Sequence, residues 1–230
     1  MVGELDQQTI AKAYARWAPI YDLVFSAVFA PGRKASIAAA ERIGRCILDV
    51  GVGTGISLVE YARTNRIVGI DYSEPMLRKA LARVHEHKLD NVEALAVMDA
   101  QRLGFRDASF DAVVAQFVIT AVPDPEATLD EFVRVTRPGG EIILVNHLGA
   151  EAGLRRAFEQ WFAPMARRLG WRPEFEWGRL ARWAERRGGV RLVERRALAP
   201  LGQFALIRFE RVMTPARVAG TAAAAAPRTG

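Results

Sequence analysis

Cysteine is almost missing from this chain: Cys46 is the only one in 230 residues. A single thiol excludes an internal disulfide and points to a reducing cytoplasm, with Cys46 read as a small apolar residue at the entrance of a strand. Long apolar runs are missing too. Stretches such as Ala112 to Ala115 and Ile142 to Val145 are strand-length, far below the roughly 18 residues that cross a bilayer. No basic segment leads into an apolar one near the start, where Glu4 and Asp6 stand, which argues against a secretory signal. Lysine is absent between Glu151 and Pro200; with no nucleic-acid motif in the chain, a nucleic-acid partner is not expected. Neither an internal repeat nor a metal-ligand spacing is present.

What is present begins with half the residues apolar, enough for one full core and short for two. Its most informative run is Ile47-Leu48-Asp49-Val50-Gly51-Val52-Gly53-Thr54-Gly55, followed by Ile67-Val68-Gly69-Ile70-Asp71. An apolar run breaking into glycines, then a second run closing on an acid about 20 residues later, is the layout of a nucleotide-type site on a parallel sheet. Glycines at 51, 53 and 55 let the backbone turn and leave bare amides for a ligand. Asp71, closing the second strand, is placed to accept ribose hydroxyls. The spacing Asp49-x-Gly51-x-Gly53-x-Gly55 departs from the dinucleotide pattern Gly-x-Gly-x-x-Gly. An acid before the glycines repels a pyrophosphate but takes an ammonium by charge-assisted hydrogen bonding. That combination suits S-adenosylmethionine, which carries a ribose, an α-ammonium and a carboxylate.

Around this motif, strands are expected at Cys46 to Val50, Ile67 to Ile70, Val92 to Val97, Phe110 to Gln116 and Glu141 to Asn146. Helices are expected near Ser57 to Arg63, Pro75 to Lys88 and Asp124 to Val135. The alternation predicts an α/β fold with a doubly wound, mostly parallel sheet. Arg137-Pro138-Gly139-Gly140 reads as a break between helix and strand. Further on, Gly153 to Leu169 and Glu176 to Arg187 read as helices, then Val190 to Ala197 and Gln203 to Arg211 as an antiparallel hairpin. Ile10, Tyr14, Trp17 and Tyr21, then Val24, Phe25, Val28 and Phe29, recur at helical spacing on both sides of Pro19. With Lys12, Arg16, Arg33 and Lys34 beside it, that face suits either a membrane headgroup region or plain packing on the sheet. The expected organisation is thus residues 1–34 as an amphipathic helical cap, 35–212 as the main domain and 213–230 as a disordered tail.

Charge is local. Between Glu151 and Pro200 stand 12 arginines and 6 acids, which accounts for the whole net charge of +6, and four of the five tryptophans lie in the same window. Arginine beside tryptophan fits an anionic lipid surface or an acidic substrate, and equally solvated helices over ordinary core tryptophans.

The combination Asp49 to Gly55, Gly69-Ile70-Asp71-Tyr72-Ser73 with Met76-Leu77, Met98-Asp99-Ala100 and Arg137 to Gly140 resembles the class I S-adenosylmethionine-dependent methyltransferases over residues 45–147. Tyr14 with Tyr21-Asp22, Val122 to Glu126, Asn146-His147 to Glu151, Leu169 to Trp177 and Leu206 to Phe209 narrow the likeness. They resemble the bacterial phospholipid N-methyltransferases of the soluble, peripheral kind, which convert phosphatidylethanolamine to phosphatidylcholine by successive methylations. Quinone C-methyltransferases share part of these outer motifs, and a cofactor-binding module without turnover is the reading from a different class.

The resemblance implies a Rossmann-like fold, S-adenosylmethionine as cofactor and S-adenosylhomocysteine as product. It implies that Asp49, Gly51, Gly53 and Gly55 hold the methionine moiety and Asp71 the ribose. Tyr72 and Met76 would pack near the adenine, Asp99 and Ala100 would read its amino edge, and Gln116 would border the sulfonium. An attacking amine must lose its proton, so His147 is the first candidate acceptor, with Tyr21 and Asp22 behind it. Tyr14, Trp17 and Tyr21 would face a methylated ammonium, and Asn146 with His147 would border the substrate. Arg155, Arg156, Arg179 and Arg208 are candidates for the lipid phosphate. A phospholipid at an anionic membrane surface on the inner face of the cell membrane is the expected partner; no obligate protein partner is expected.

Overall fold

Gly-rich turns and short β-branched runs alternate with amphipathic helices along most of this chain, and the sheet they build is the frame for everything else. The computed structural model describes residues 29–147, 175–198 and 204–213. Tyr14, Trp17, Tyr21, Asp22, Arg155 and Arg156 lie outside the described residues, as do the expected helix at 153–169 and the tail.

Helix α1 covers residues 29–43. Then follow β1 (Cys46–Val50), a 3-10 turn (Ser57–Glu60), β2 (Arg66–Asp71), α2 (Glu74–Glu86), β3 (Val92–Val97), β4 (Phe110–Gln116) and α3 (Pro125–Val135). The chain continues with β5 (Thr136–His147), α4 (Trp177–Arg187), β6 (Val190–Leu198) and β7 (Phe204–Arg211). The seven strands lie in the order β3-β2-β1-β4-β5-β7-β6. All pairs from β3 to β5 are parallel, and β7 runs antiparallel to both β5 and β6. The expected terminal hairpin exists, with its second strand slotted inside its first.

Alternation along the strands divides the core in two. Leu48, Val50, Val113, Ala115, Ile142 and Leu144 face α3 and α4, where Phe132, Leu180 and Trp183 meet them. Ile47, Ala112, Val114, Ile143 and Val145 face the other side, against Ile37 and Ala40 of α1 and Leu77 and Ala80 of α2.

Two local expectations fail for visible reasons. The helix expected at Ser57 to Arg63 is only a 3-10 turn. The Ala62 amide, which a helix would aim at Leu58, donates instead to the Glu41 carboxylate at 2.7 Å, and Asn65 joins it at 2.6 Å. The break expected at Arg137 to Gly140 lies inside β5 as a bulge: Thr136 pairs with Phe110 and Glu141 with Ala112, so the intervening residues loop outward. Asp111 pins the bulge by accepting from Arg137, and Gly139, at φ +80°, makes the turn.

Candidate functional site

The carboxyl ends of β1, β2 and β4 converge where the strand order reverses, the place where an open parallel sheet binds ligands. A cavity of about 290 Å³ opens there. Its floor is the glycine loop after β1. Gly51, Gly53 and Gly55 all adopt left-handed backbone, with φ of +69°, +56° and +78°, which disfavours any side chain. A Cβ at Gly51 would also collide with Val118, and one at Gly55 would press on Ala80 of α2 at 3.0 Å. Gly51 and Gly53 line the cavity, whereas Gly55 stands behind the loop and lets it pack.

Asp71 ties this loop to β2. One carboxylate oxygen accepts from the Gly53 amide and the other from the Ser73 amide, each at 2.8 Å. Burial raises its pKa, and the backbone donors oppose that rise. Asp49 lies deeper, 2 % exposed, and accepts from the Ser57 hydroxyl at 2.7 Å and the Tyr61 hydroxyl at 3.3 Å. Burial pushes its carboxyl up to about 7 despite those two hydrogen bonds, with the nearby Asp71 charge adding to the rise.

Tyr72, Met76, Asp99 and Ala100 line the far wall, and Gln116 the near one. Met76 is buried and Tyr72 is a half-exposed rim residue. Asp99 accepts from the Gln101 amide at 2.9 Å. Gln116 donates to the Ser36 hydroxyl of α1 at 3.1 Å.

Three wall residues were invisible as such in the sequence. Arg33, expected beside a headgroup region, is 8 % exposed and lines the cavity. Its Nε and Nη2 reach Glu60 at 2.8 and 2.7 Å. Phe29 and Phe117 line the same end. The helical spacing of Phe29 with the residues before it was the only signal available.

β5 divides the two substrate candidates it carries. His147 continues the face of Ile143 and Val145, and its ring lies 6.1 Å from that of Phe204. Asn146 continues the opposite face, is 1 % exposed, and among the described residues neither of its amide atoms has a hydrogen-bond partner. Neither residue lines the cavity itself. Of the arginines expected on a phosphate, the two among the described residues are committed to carboxylates. Arg208 gives Nε and Nη2 to Glu141 at 2.7 and 2.9 Å, and Nη1 to Glu194 at 3.0 Å. Arg179 grips Glu126 through two nitrogens at 2.7 and 2.5 Å and stays outside the cavity wall. Among the described residues, no helix is long and apolar enough to cross a membrane.

Residues 48–144 match the model of a methyltransferase domain. A phosphatidylethanolamine N-methyltransferase of Cereibacter sphaeroides is 39 % identical over 208 residues, covering 90 % of this chain and 99 % of that protein. A demethylmenaquinone methyltransferase of Thermobifida fusca is 31 % identical over 72 % of this chain and 68 % of its own. Among solved structures, a chain of the complex between the Haloferax volcanii Trm112 methyltransferase activator and a methyltransferase aligns with a TM-score of 0.72 at 18 % identity. That alignment covers 89 % of this chain and 98 % of the other. The cyclase SpnF aligns at 0.69 and 19 % identity, covering 89 % and 96 %. These structures share the fold, which by itself assigns no acceptor.

Proposed function

The chain belongs to the class I S-adenosylmethionine-dependent methyltransferases, of the phosphatidylethanolamine N-methyltransferase type, and from that premise we propose that it methylates the amine of phosphatidylethanolamine and of its mono- and dimethyl forms at a membrane surface. The observation that carries this reading is the 39 % identity extending over 99 % of the Cereibacter relative, well beyond the shared methyltransferase core.

The cavity fits the cofactor on its own chemistry. A loop that tolerates no Cβ at Gly51, a deep carboxyl at Asp49 and an accepting carboxylate at Asp71 match the close backbone approach, ammonium and ribose of S-adenosylmethionine. Asp99 and Ala100 would read the adenine edge, with Met76 and Tyr72 packing near it. When bound, the cofactor would supply a sulfonium methyl to the lone pair of the neutral amine, with the S–C electron pair staying on sulfur in S-adenosylhomocysteine. The protein's task is orientation, which supplies much of the rate of such a displacement. Gln116, fixed by Ser36, borders the reacting end, and His147, set back from the cavity wall, takes the amine's proton through water.

A lipid headgroup is reached from the surface of the bilayer. Arg182, Arg186, Arg191, Arg195 and Arg196 are exposed along α4 and β6, and they support peripheral attachment to anionic lipid from the cytoplasmic side.

The test is incubation with radiolabelled S-adenosylmethionine and vesicles of phosphatidylethanolamine plus phosphatidylglycerol, followed by separation of the lipids. Label in mono-, di- or trimethylated headgroups is the expected result. Unlabelled lipid with cofactor binding intact overturns it, and label in an added demethylated quinone would then place the chain with the Thermobifida relative's activity.

A further inference from the structure

We propose that Phe117 and Phe29, backed by the buried Phe204, form the aromatic seat for the methylated ammonium of the acceptor and thereby set how far methylation proceeds. The inference rests on the amine-acceptor reading above and adds to it a site and a specificity role.

Phe117 is the first observation. It has φ +62°, a left-handed conformation that is a genuine outlier for a bulky side chain and persists only where its surroundings impose it. The consequence is directional. Along β4, Val113 and Ala115 face α3 and α4, while Ala112 and Val114 face α1 and α2. Gln116 follows the second set and reaches Ser36 of α1. Regular alternation would send Phe117 to the α3 side. The left-handed residue turns its ring to the α1 side instead, where its centroid lies 4.3 Å from that of Phe29. Two successive residues thus meet the same helix at the cavity's acceptor end.

The second observation is the cluster so made. Phe204, from β7, lies 5.0 Å from Phe29 and 5.4 Å from Phe117, edge-on to both. Phe29 and Phe117 line the cavity and keep part of their surface exposed. The His147 ring lies 6.1 Å from that of Phe204, edge-on.

Chemistry gives this cluster its role. Each methylation replaces an N–H donor, and the quaternary product has none left. Hydrogen-bond acceptors lose their hold on the headgroup step by step, while aromatic faces attract the cation at every stage and gain contact with each methyl. Phenylalanine adds no polar atom that would compete.

The experiment uses the full chain and measures kcat/KM separately on vesicles containing phosphatidylethanolamine, its monomethyl form and its dimethyl form, for the wild type, Phe117→Leu and Phe117→Trp. Calorimetric titration with S-adenosylhomocysteine reports whether the cofactor half remains intact. Leucine is expected to lower the last methylation about tenfold more than the first, with mono- and dimethyl products accumulating, and tryptophan is expected to restore the last step. Equal losses on the three lipids, or none, overturn the aromatic seat. If Phe117→Leu loses cofactor binding, Phe29→Leu is read by the same ratio, and an unchanged ratio there overturns it. A wild type inactive on all three lipids overturns the amine-acceptor reading and the seat with it, an outcome distinct from an active wild type whose variants show no bias.

Discussion

Asp49 holds a proton close to neutrality because burial costs its charged form more than the Ser57 and Tyr61 hydroxyls give back. The unfolded chain loses that proton in the ordinary carboxylate range, so between there and about pH 7 the native state carries the extra proton. Its contribution to stability is therefore present at low pH and fades as pH rises through about 7. Denaturant titrations from pH 5 to 8 are expected to show this decline in the wild type and a flatter profile in Asp49→Asn. A cofactor ammonium placed beside Asp49 favours the carboxylate, so binding near pH 7 is expected to release protons. Calorimetry in buffers of different ionisation enthalpy measures that release, and Asp49→Asn should lack it. The meeting of Asp49, Asp71 and the glycines at one cavity was legible because glycine spacing and a strand-ending acid are local patterns. Arg33 and Phe117 were not: one is decided by which way α1 packs, the other by a single backbone dihedral that no spacing rule encodes.

Strand β7 shows why charges mislead at the level of elements. Arg208 reads in the sequence as a cation for lipid phosphate, yet the β5-β7-β6 register sets it between Glu141 and Glu194 across three strands. Glu141 is 5 % exposed. Removing its partner strands a buried charge, at a cost of about 3–5 kcal/mol. Arg208→Met is expected to lower the melting temperature by many degrees, and Arg208→Met combined with Glu141→Leu to recover most of the loss. An unaltered melting temperature in the single variant would refute the structural role. The strands themselves were legible, since each is an apolar run bounded by turn residues; β3, β4 and the second half of β5 fall where that pattern puts them. The 3-10 turn was not, because Glu41 takes the Ala62 amide from a distance of many residues. The bulge in β5 was hidden in the same way, since Pro138 and the two glycines look identical in a loop and in a bulged strand.

At the scale of the whole molecule, seven arginines stand on α4 and β6 among the described residues, but not as free charge throughout. Arg187 is near Asp130 at 3.1 Å, and Arg191 and Arg196 pair with Glu210 and Glu194. Attachment to anionic vesicles is thus expected to draw most on Arg182 and Arg186, at about 1 kcal/mol each near the surface. Sedimentation with phosphatidylglycerol-rich vesicles should fall as salt rises, and Arg182→Glu with Arg186→Glu should weaken it further. Equal sedimentation with pure phosphatidylcholine vesicles would refute an electrostatic attachment. The strand order also has a consequence in time. β6 is synthesised before β7, yet among the described strands β7 is its only neighbour in the sheet and stands between it and β5. On the ribosome, β5 and β6 keep open edges until β7 emerges between them, so among the described strands the last made is the one that pairs both and removes those two edges from aggregation.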